Sequence, residues 1–335
     1  MPFSEKTRAT QPQEHILNLL LSRSPVSGNT LSQELRISLQ AIQQYIRQLR
    51  NEGFAIPSLK GGGYRLEGLE KMLFPIRIRE ELRSLYFGQP IFHFLRVDST
   101  NTQARKWANA GAPEGALVIS EFQEKGKGRL NRVWQSPPGK NLLFSLILRP
   151  DWPPQKAFYG TVLAAVSLCR AIQEVTGIPT GIKWPNDLYT GNKKLAGILT
   201  EFSMDRDRLE YMIIGIGLNC NWAPPEPPPD GQPATCLLHE SGHEVSRLQI
   251  LSRFLNYGES LYQRTREEGI DFLKEEWNQY SLVNGRKVHL IGSQENWTGM
   301  AQGIDENGGL VLLLEDGREK IFLTGDVHLR FTGPA

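Results

Sequence analysis

The chain has 335 residues, 39% of them hydrophobic and 22% charged, which excludes a disordered or collagen-like polymer and leaves room for two or three domains with a sizeable core. A net charge of +2 excludes a polycation. The first 75 residues nevertheless carry nine Lys or Arg against six Asp or Glu, leaving 29 against 30 elsewhere, so any anionic partner is expected at the N-terminal end.

Met1 to His15 is polar and lacks the apolar run of a secretion signal, so a cytoplasmic protein is expected. Ile16, Leu17 and Leu20 recur at helical spacing. A turn follows over Ser24-Pro25-Val26-Ser27-Gly28. Thr30 precedes Gln33 by three, a capping-box pattern that starts a second helix, and Ile37 plugs the next turn. Ser38 caps a third helix with Ile42, Ile46 and Leu49 on one face and Gly53 at its end. Gly61-Gly62-Gly63 then separates Ala55-Ile56 from Tyr64-Arg65-Leu66, as at a hairpin tip. Three short helices and a glycine-tipped hairpin over residues 1–66 describe a winged helix-turn-helix, whose third helix enters the DNA major groove. Its outward face offers Gln40, Gln43, Gln44, Arg47 and Arg50, with Lys60 and Arg65 on the wing. Gln suits adenine, Arg suits guanine, and either basic type suits phosphate. A helical module that only packs on its neighbour is the alternative.

Residues 67–281 form the second unit. A polar helical connection is expected near 68–86. Strands are expected at Phe92–Val97, Leu117–Phe122, Leu142–Leu148, Leu195–Phe202 and Tyr211–Gly217. Helices are expected from Asp98 through Trp107 and over Lys156–Val175, Arg247–Thr265 and Ile270–Tyr280. Irregular alternation favours an α+β mixed sheet over a doubly wound one. The apolar stretch Tyr159 to Ile172 holds Ser167 and Arg170 and is too short to span a bilayer. Cys169, Cys220 and Cys236 are far apart, which speaks against a disulfide framework or zinc site. Pro224 to Pro233 is a proline-rich loop. Residues 282–335, rich in Gly and Val with turns at Asn307-Gly308-Gly309 and Asp316-Gly317, read as a small β-barrel.

Four stretches of the second unit carry chemistry. In Gln123-Glu124-Lys125-Gly126-Lys127-Gly128-Arg129-Leu130-Asn131-Arg132-Val133-Trp134, the glycines allow close backbone approach and the cations surround an anion. In Lys183-Trp184-Pro185-Asn186-Asp187 a strand end enters a turn, with Lys183 suited to phosphate and Asp187 to magnesium. Lys193-Lys194-Leu195-Ala196-Gly197 places a lysine at the mouth of a buried strand, where it can meet a carboxylate and a developing pentavalent phosphate. Gly215-Ile216-Gly217-Leu218-Asn219 ends an apolar strand, without the third glycine of a dinucleotide fingerprint. Each alone has a bland reading: a flexible turn, a structural ion pair, an edge-strand charge.

Taken in order after Asp98-Ser99-Thr100-Asn101, these stretches resemble the biotin protein ligases. The winged helix in front resembles the bifunctional group that also acts as biotin operon repressor. That resemblance implies a class II synthetase-like catalytic domain and a C-terminal SH3-like barrel. It implies ATP-dependent formation of biotinyl-5'-AMP and transfer of biotin to a lysine of the biotin carboxyl carrier protein of acetyl-CoA carboxylase, with Mg2+. It further implies binding to operator DNA of biotin genes and a homodimer when ligand is bound. By position, Ser99, Thr100, Asn101 and Gln123 would hold biotin. Lys127, Gly128 and Arg129 would close over it, and Arg132, Trp134 and Asn219 would serve the nucleotide. Lys194, Lys183 and Arg129 would be catalytic, and Asp187 would meet the metal. The similar family loop reads Gly-Arg-Gly-Arg-Arg-Gly-Arg. Here Lys127, Leu130 and Asn131 depart from it, and Lys loses the planar fork of Arg. Activity is expected to survive with weaker retention of the adenylate. A sensor without ligase activity, or a ligase for lipoate or another acyl acid, remains the alternative.

Overall fold

The computed structural model describes residues 12–60, 63–129, 132–226, 233–292, 295–323 and 325–329. Leu130 and Asn131, two of the three loop departures, lie outside them, as do Gly61 and Gly62 at the wing tip and most of the proline-rich loop.

The N-terminal unit comprises α1 (Pro12–Arg23), β1 (Val26–Ser27), α2 (Gly28–Leu35), α3 (Leu39–Asn51) and β2 (Gly63–Tyr64). Ser38 caps α3 as expected, accepting a bond from the Ala41 N–H. The start of α2 differs. Ser27, not Thr30, is its cap and accepts the Thr30 N–H, so the helix begins at Gly28. Ser27 is extended while Thr30 is already helical, and only an extended residue can turn its hydroxyl back onto the first free N–H groups. The wing hairpin forms through backbone bonds from Leu59 to Gly63, Arg65 to Pro57 and Glu67 to Ala55. Ile16, Leu20, Leu31, Ile42, Ile46 and Leu49 build its core, and that core also takes in Met72 and Leu95 from beyond residue 66.

The expected single connecting helix over 68–86 does not form. A short 3-10 turn at Leu69–Lys71 precedes α4 (Pro75–Glu81), which ends at Leu82. Pro75 sits at the first helical position, where its missing N–H costs nothing, and bars a longer helix from running through it. The N–H groups of Leu85, Tyr86 and Phe87 then converge on the Glu259 carboxylate.

The second unit runs β3 (Ile91–Phe94), α5 (Thr100–Asn109), β4 (Leu117–Ser120), β5 (Leu142–Leu148), α6 (Tyr159–Thr176), β6 (Gly181–Lys183), β7 (Asp187–Thr190), β8 (Lys193–Asp205), β9 (Arg208–Leu218), α7 (Leu237–Ser241), α8 (Arg247–Glu268) and α9 (Phe272–Tyr280). Seven strands form one sheet in the order β3-β4-β5-β9-β8-β7-β6. Only β3 and β4 are parallel, so the sheet is mixed, as expected. Strand alternation divides the side chains between two faces. Leu146, Met212 and Ile214 enter the core shared with α6, α8 and α9. Val118, Ile147 and Ile213 face Ala104 and Ala108 of α5. From Tyr159 to Ile172 every residue of α6 but Arg170 is buried, since this stretch is largely apolar and packs between the sheet and α8, while Gln173 and Glu174 of its last turn are exposed.

The remaining strands are β10 (Lys287–Ile291), β11 (Asn296–Ile304), β12 (Leu310–Leu314), β13 (Glu319–Phe322) and β14 (Asp326–Leu329). They make an antiparallel sheet in the order β13-β12-β11-β10-β14. No ladder joins β13 to β14 among the described residues, so the five-stranded sheet is described without the closure that the expected barrel would need. Among the described residues no helix is long and apolar enough to cross a membrane.

Candidate active site

Strand register brings the sequence motifs together. Leu143 pairs with Gly217, Gly217 with Gly197, Gly197 with Asp187, and Asp187 with Lys183. These residues lie on one row across five strands and face the same side, the side that α5 covers. The β7–β8 ladder slips between Leu188 and Tyr189, so that Lys194 opposes Tyr189. The extra residue turns Lys194 onto the row's face, which unbroken alternation would deny it. Its Nζ lies 2.7 Å from Asp187 Oδ1. That contact is an ion pair without hydrogen-bond alignment, since the buried oxygen accepts no bond. Lys183, almost wholly buried, places its Nζ 4.9 Å from the Tyr189 ring centre and 3.4 Å from its hydroxyl.

The two glycines of the row leave a trough that Trp134 fills. A Cβ on Gly217 would overlap the indole, and one on Gly197 would stand 3.2 Å from it. Lys194 Nζ is 5.9 Å from the same ring. The indole Nε1 is buried and has no hydrogen-bond partner. One row along, Gly215 makes room for Asn101, which donates to Leu199 O at 3.1 Å and to Glu201 at 2.9 Å. Gln123 Oε1 accepts the Thr100 N–H at 2.7 Å and its hydroxyl at 3.2 Å, capping the open end of α5. Ser145 donates toward Thr100 Oγ1 and Asn101 Oδ1. Ser99 is buried beside them.

The cationic loop is a narrow hairpin over this floor. Gly128 N–H bonds Arg132 O, and Trp134 N–H bonds Gly126 O. Arg129 reaches across to Asn186 Oδ1 at 3.1 Å, and Lys127 to Thr102 at 3.4 Å. Arg132 is exposed. Asn219 is held from two sides, by Asn141 Nδ2 at 3.2 Å and through its own Nδ2 to Thr235 O at 3.0 Å, so its amide serves the fold as it stands. An open depression lined by Arg149, Trp152 and Arg208 lies at the far end of β5 and β9 and includes none of these groups.

Sequence reasoning gave no role to several groups that support the site. Ser145 was legible as a lone hydroxyl in an apolar strand. Asn186 stood in a chemistry-bearing stretch without a role of its own, and Glu201 and Asn141 had no such signal, because their partners come from distant parts of the chain. Arg96 is the most telling. Its guanidinium meets both oxygens of Glu52, the C-cap of α3, at 3.0 Å, and Glu124 at 2.6 Å. Beside it, Phe54 packs edge-on against Phe122, so the end of α3 abuts the root of the cationic loop. Glu121 is buried within a second network, with Arg247 at 2.9 Å, the Leu73 N–H at 2.6 Å and His93 at 3.6 Å. Burial would raise its pKa, but Arg247, His93 and the Leu73 N–H outweigh it and hold the carboxyl below its ordinary value. Cys169 and Cys220 are pushed up to about 12 by burial, so neither supplies a thiolate nucleophile at neutral pH.

On α3, Gln40, Gln43, Gln44 and Arg47 stand exposed along one face, and Lys60 is exposed on the wing. Arg50 is engaged within the unit, donating to Ile56 O at 2.7 Å and Ser58 at 2.9 Å. Arg65 pairs with Glu67 at 2.8 Å.

Three family models match the chain: a helix-turn-helix domain over residues 12–65, the biotin/lipoate A/B protein ligase family over 93–219, and the biotin protein ligase C-terminal domain over 284–330. The chain is 37% identical over 305 residues to the Bifunctional ligase/repressor BirA of Bacillus subtilis (strain 168), covering 91% of this chain and 94% of that one. It is 28% identical to its Escherichia coli (strain K12) namesake, covering 94% and 96%. Among solved structures, the biotin protein ligase from Aquifex aeolicus in complex with biotin and ATP matches with a TM-score of 0.61 and 30% identity, over 72% of this chain and 99% of that one.

Proposed function

The chain belongs to the family of bifunctional biotin protein ligases and biotin operon repressors, and on that premise we propose how its own residues carry both activities. It is an ATP-dependent biotin protein ligase that activates biotin to biotinyl-5'-AMP and passes it to a lysine of a biotin carboxyl carrier protein. One observation carries the assignment of residues: Lys183 and Asp187 share a transverse row with the glycine trough under Trp134, and the bulge in β8 turns Lys194 onto the same face, 2.7 Å from Asp187.

In the first step a biotin carboxylate oxygen bonds the α-phosphorus of ATP and pyrophosphate leaves. Two like charges about 4 Å apart repel by about 4 kcal/mol in a partly buried site, so a lysine between them removes a barrier of that order. Lys194 is placed for this work, with Lys183 and Arg129 drawing charge from the phosphate oxygens. Ser99, Thr100, Asn101 and Gln123 hold the ring system of biotin at the start of α5, and Lys127 and Gly128 close over it. Trp134 and Arg132 serve the nucleotide, and Asn219, its amide taken up by Asn141 and Thr235, serves it by fixing the end of β9. The carrier lysine then attacks the mixed anhydride and AMP leaves, while the loop keeps water from that bond.

Magnesium fits the donors. Asp187 offers a hard oxygen that accepts no hydrogen bond and would exchange its ion pair with Lys194 for the metal, and Mg2+ commonly takes one or two carboxylates with substrate phosphates completing its shell. The described residues hold no cluster of three metal-ligating groups, so the ion would arrive with ATP. It would supply charge neutralisation at the phosphates. The Lys194→Ala variant is expected to lose nearly all biotin-dependent exchange of pyrophosphate into ATP. Near-normal exchange would remove Lys194 from the chemistry. Lipoate and octanoate in the same assay check the acid's identity.

The second activity is biotin-responsive repression. The exposed face of α3, with Lys60, is proposed to meet operator DNA in a ligand-favoured homodimer, in the cytoplasm. A mobility-shift assay with and without biotin and ATP tests it, and a shift indifferent to ligand would refute it.

A further inference from the structure

We propose that Trp184 is a positioning residue for the nucleotide-side groups, and that the C-terminal sheet holds it in place through a single indole hydrogen bond to Gly308. The proposal rests on the ligase reading above, in which Lys183, Asn186 and Asp187 face ATP.

Trp184 stands in the turn between β6 and β7, directly after Lys183 and two residues before Asn186. Its ring is 1% exposed, and its Nε1 donates to Gly308 O at 3.1 Å. Gly308 belongs to the turn between β11 and β12. It has φ +82°, and a Cβ there would overlap the Phe158 ring, so this acceptor is presented by the one residue type that fits. The turn is fixed independently of Trp184. Asp305 Oδ1 accepts the N–H groups of Asn307 at 2.9 Å and Gly309 at 2.7 Å. Lys156 donates to Glu306 O at 2.6 Å and Tyr159 to Asp305 O at 3.3 Å. A second tie runs from the Leu282 N–H to Ile182 O at 2.9 Å, pinning β6 beside the same corner.

The other side of this corner is the site. Asn186 accepts Arg129 from the cationic loop and donates to Ile198 O at 2.8 Å, and Asp187 stands beside Lys194. A buried indole N–H without an acceptor is costly, so ring and turn move together. The C-terminal sheet thereby sets where Asn186 and Asp187 sit, although none of its residues lies on the row.

The test uses the full chain and steady-state kinetics with each substrate varied. Trp184→Phe keeps an aromatic ring, smaller than the indole, and removes the donor. It is expected to raise KM for ATP about threefold to tenfold, the range of one neutral hydrogen bond, with KM for biotin changed less than about twofold. Gly308→Ala is expected to give the same pattern. Leu290→Ala, in the core of the same sheet, serves as a stability control and is expected to lower the melting temperature without raising KM for ATP. An unchanged KM for ATP in Trp184→Phe overturns the proposal, as does an equal rise in Leu290→Ala or a rise confined to biotin. If Lys183→Ala and Asp187→Asn both leave KM for ATP untouched, the ATP-side reading fails by itself, a result distinguishable from failure of the indole bond.

Discussion

Glu121 is a wholly buried carboxyl whose pKa is held below its ordinary value by Arg247, His93 and the Leu73 N–H, against the opposing effect of burial. Its pKa is depressed on folding, so its contribution to stability is complete above the ordinary glutamate value and is lost as pH falls through the lower folded one. Urea midpoints followed from neutral pH into the acid range should therefore drop for the native chain. Glu121→Gln should cost about 3–5 kcal/mol at neutral pH, because Arg247 is left buried without its counter-charge, and should flatten the acid limb. Parallel curves for the two proteins would show that the carboxylate is not the titrating group. This role has no signature in the sequence. A glutamate after an apolar run reads equally as a strand end at the surface, and its partners are 28, 48 and 126 positions away. Lys194 and Lys183 were legible because each stands inside a recognisable stretch of glycines and apolar residues.

At the scale of elements, the β-bulge at the start of β8 and the paired glycines explain why the motifs need their spacing. Gly217→Ala should push the Trp134 indole off its floor. Overpacking of this kind costs about 1–3 kcal/mol, and misplacement of a contact by about an ångström costs up to about a hundredfold in rate. The variant is expected to keep a cooperative melt while kcat/KM falls at least about tenfold. Full activity would mean that the trough is not the place where ligand and indole meet. Long periodic elements were legible from sequence, among them α3, α6, α8, β5 and β9. β6 and β7 are three and four residues long and were hidden inside a motif. The helix expected over 68–86 failed because period alone ignored Pro75. Turn spacing reports hairpins and says nothing of closure, and among the described residues no ladder closes the C-terminal sheet into the expected barrel.

At the scale of the molecule, the order of five motifs carried the family reading, but no motif foretold how the N-terminal unit joins the second. Arg96 makes that junction. Glu52→Gln, a change on the N-terminal unit, is expected to weaken biotin binding about threefold to tenfold by calorimetry, through loss of a charge-assisted bond that steadies Arg96 and, with it, Glu124. Where this junction carries the coupling between the two ends, the same substitution should also shrink the effect of biotin on operator binding. Unaltered biotin affinity would uncouple the two ends.

That shared guanidinium also constrains how such a protein can be rebuilt from parts. A repressor head transplanted from another source brings its own residue at the foot of the recognition helix, and unless that residue is acidic, the arginine keeps Glu124 but loses the two bonds that fasten it to the head. Chimaeras should then succeed or fail on one charge at the graft point more than on overall similarity, and restoring an acid there should rescue those that fail.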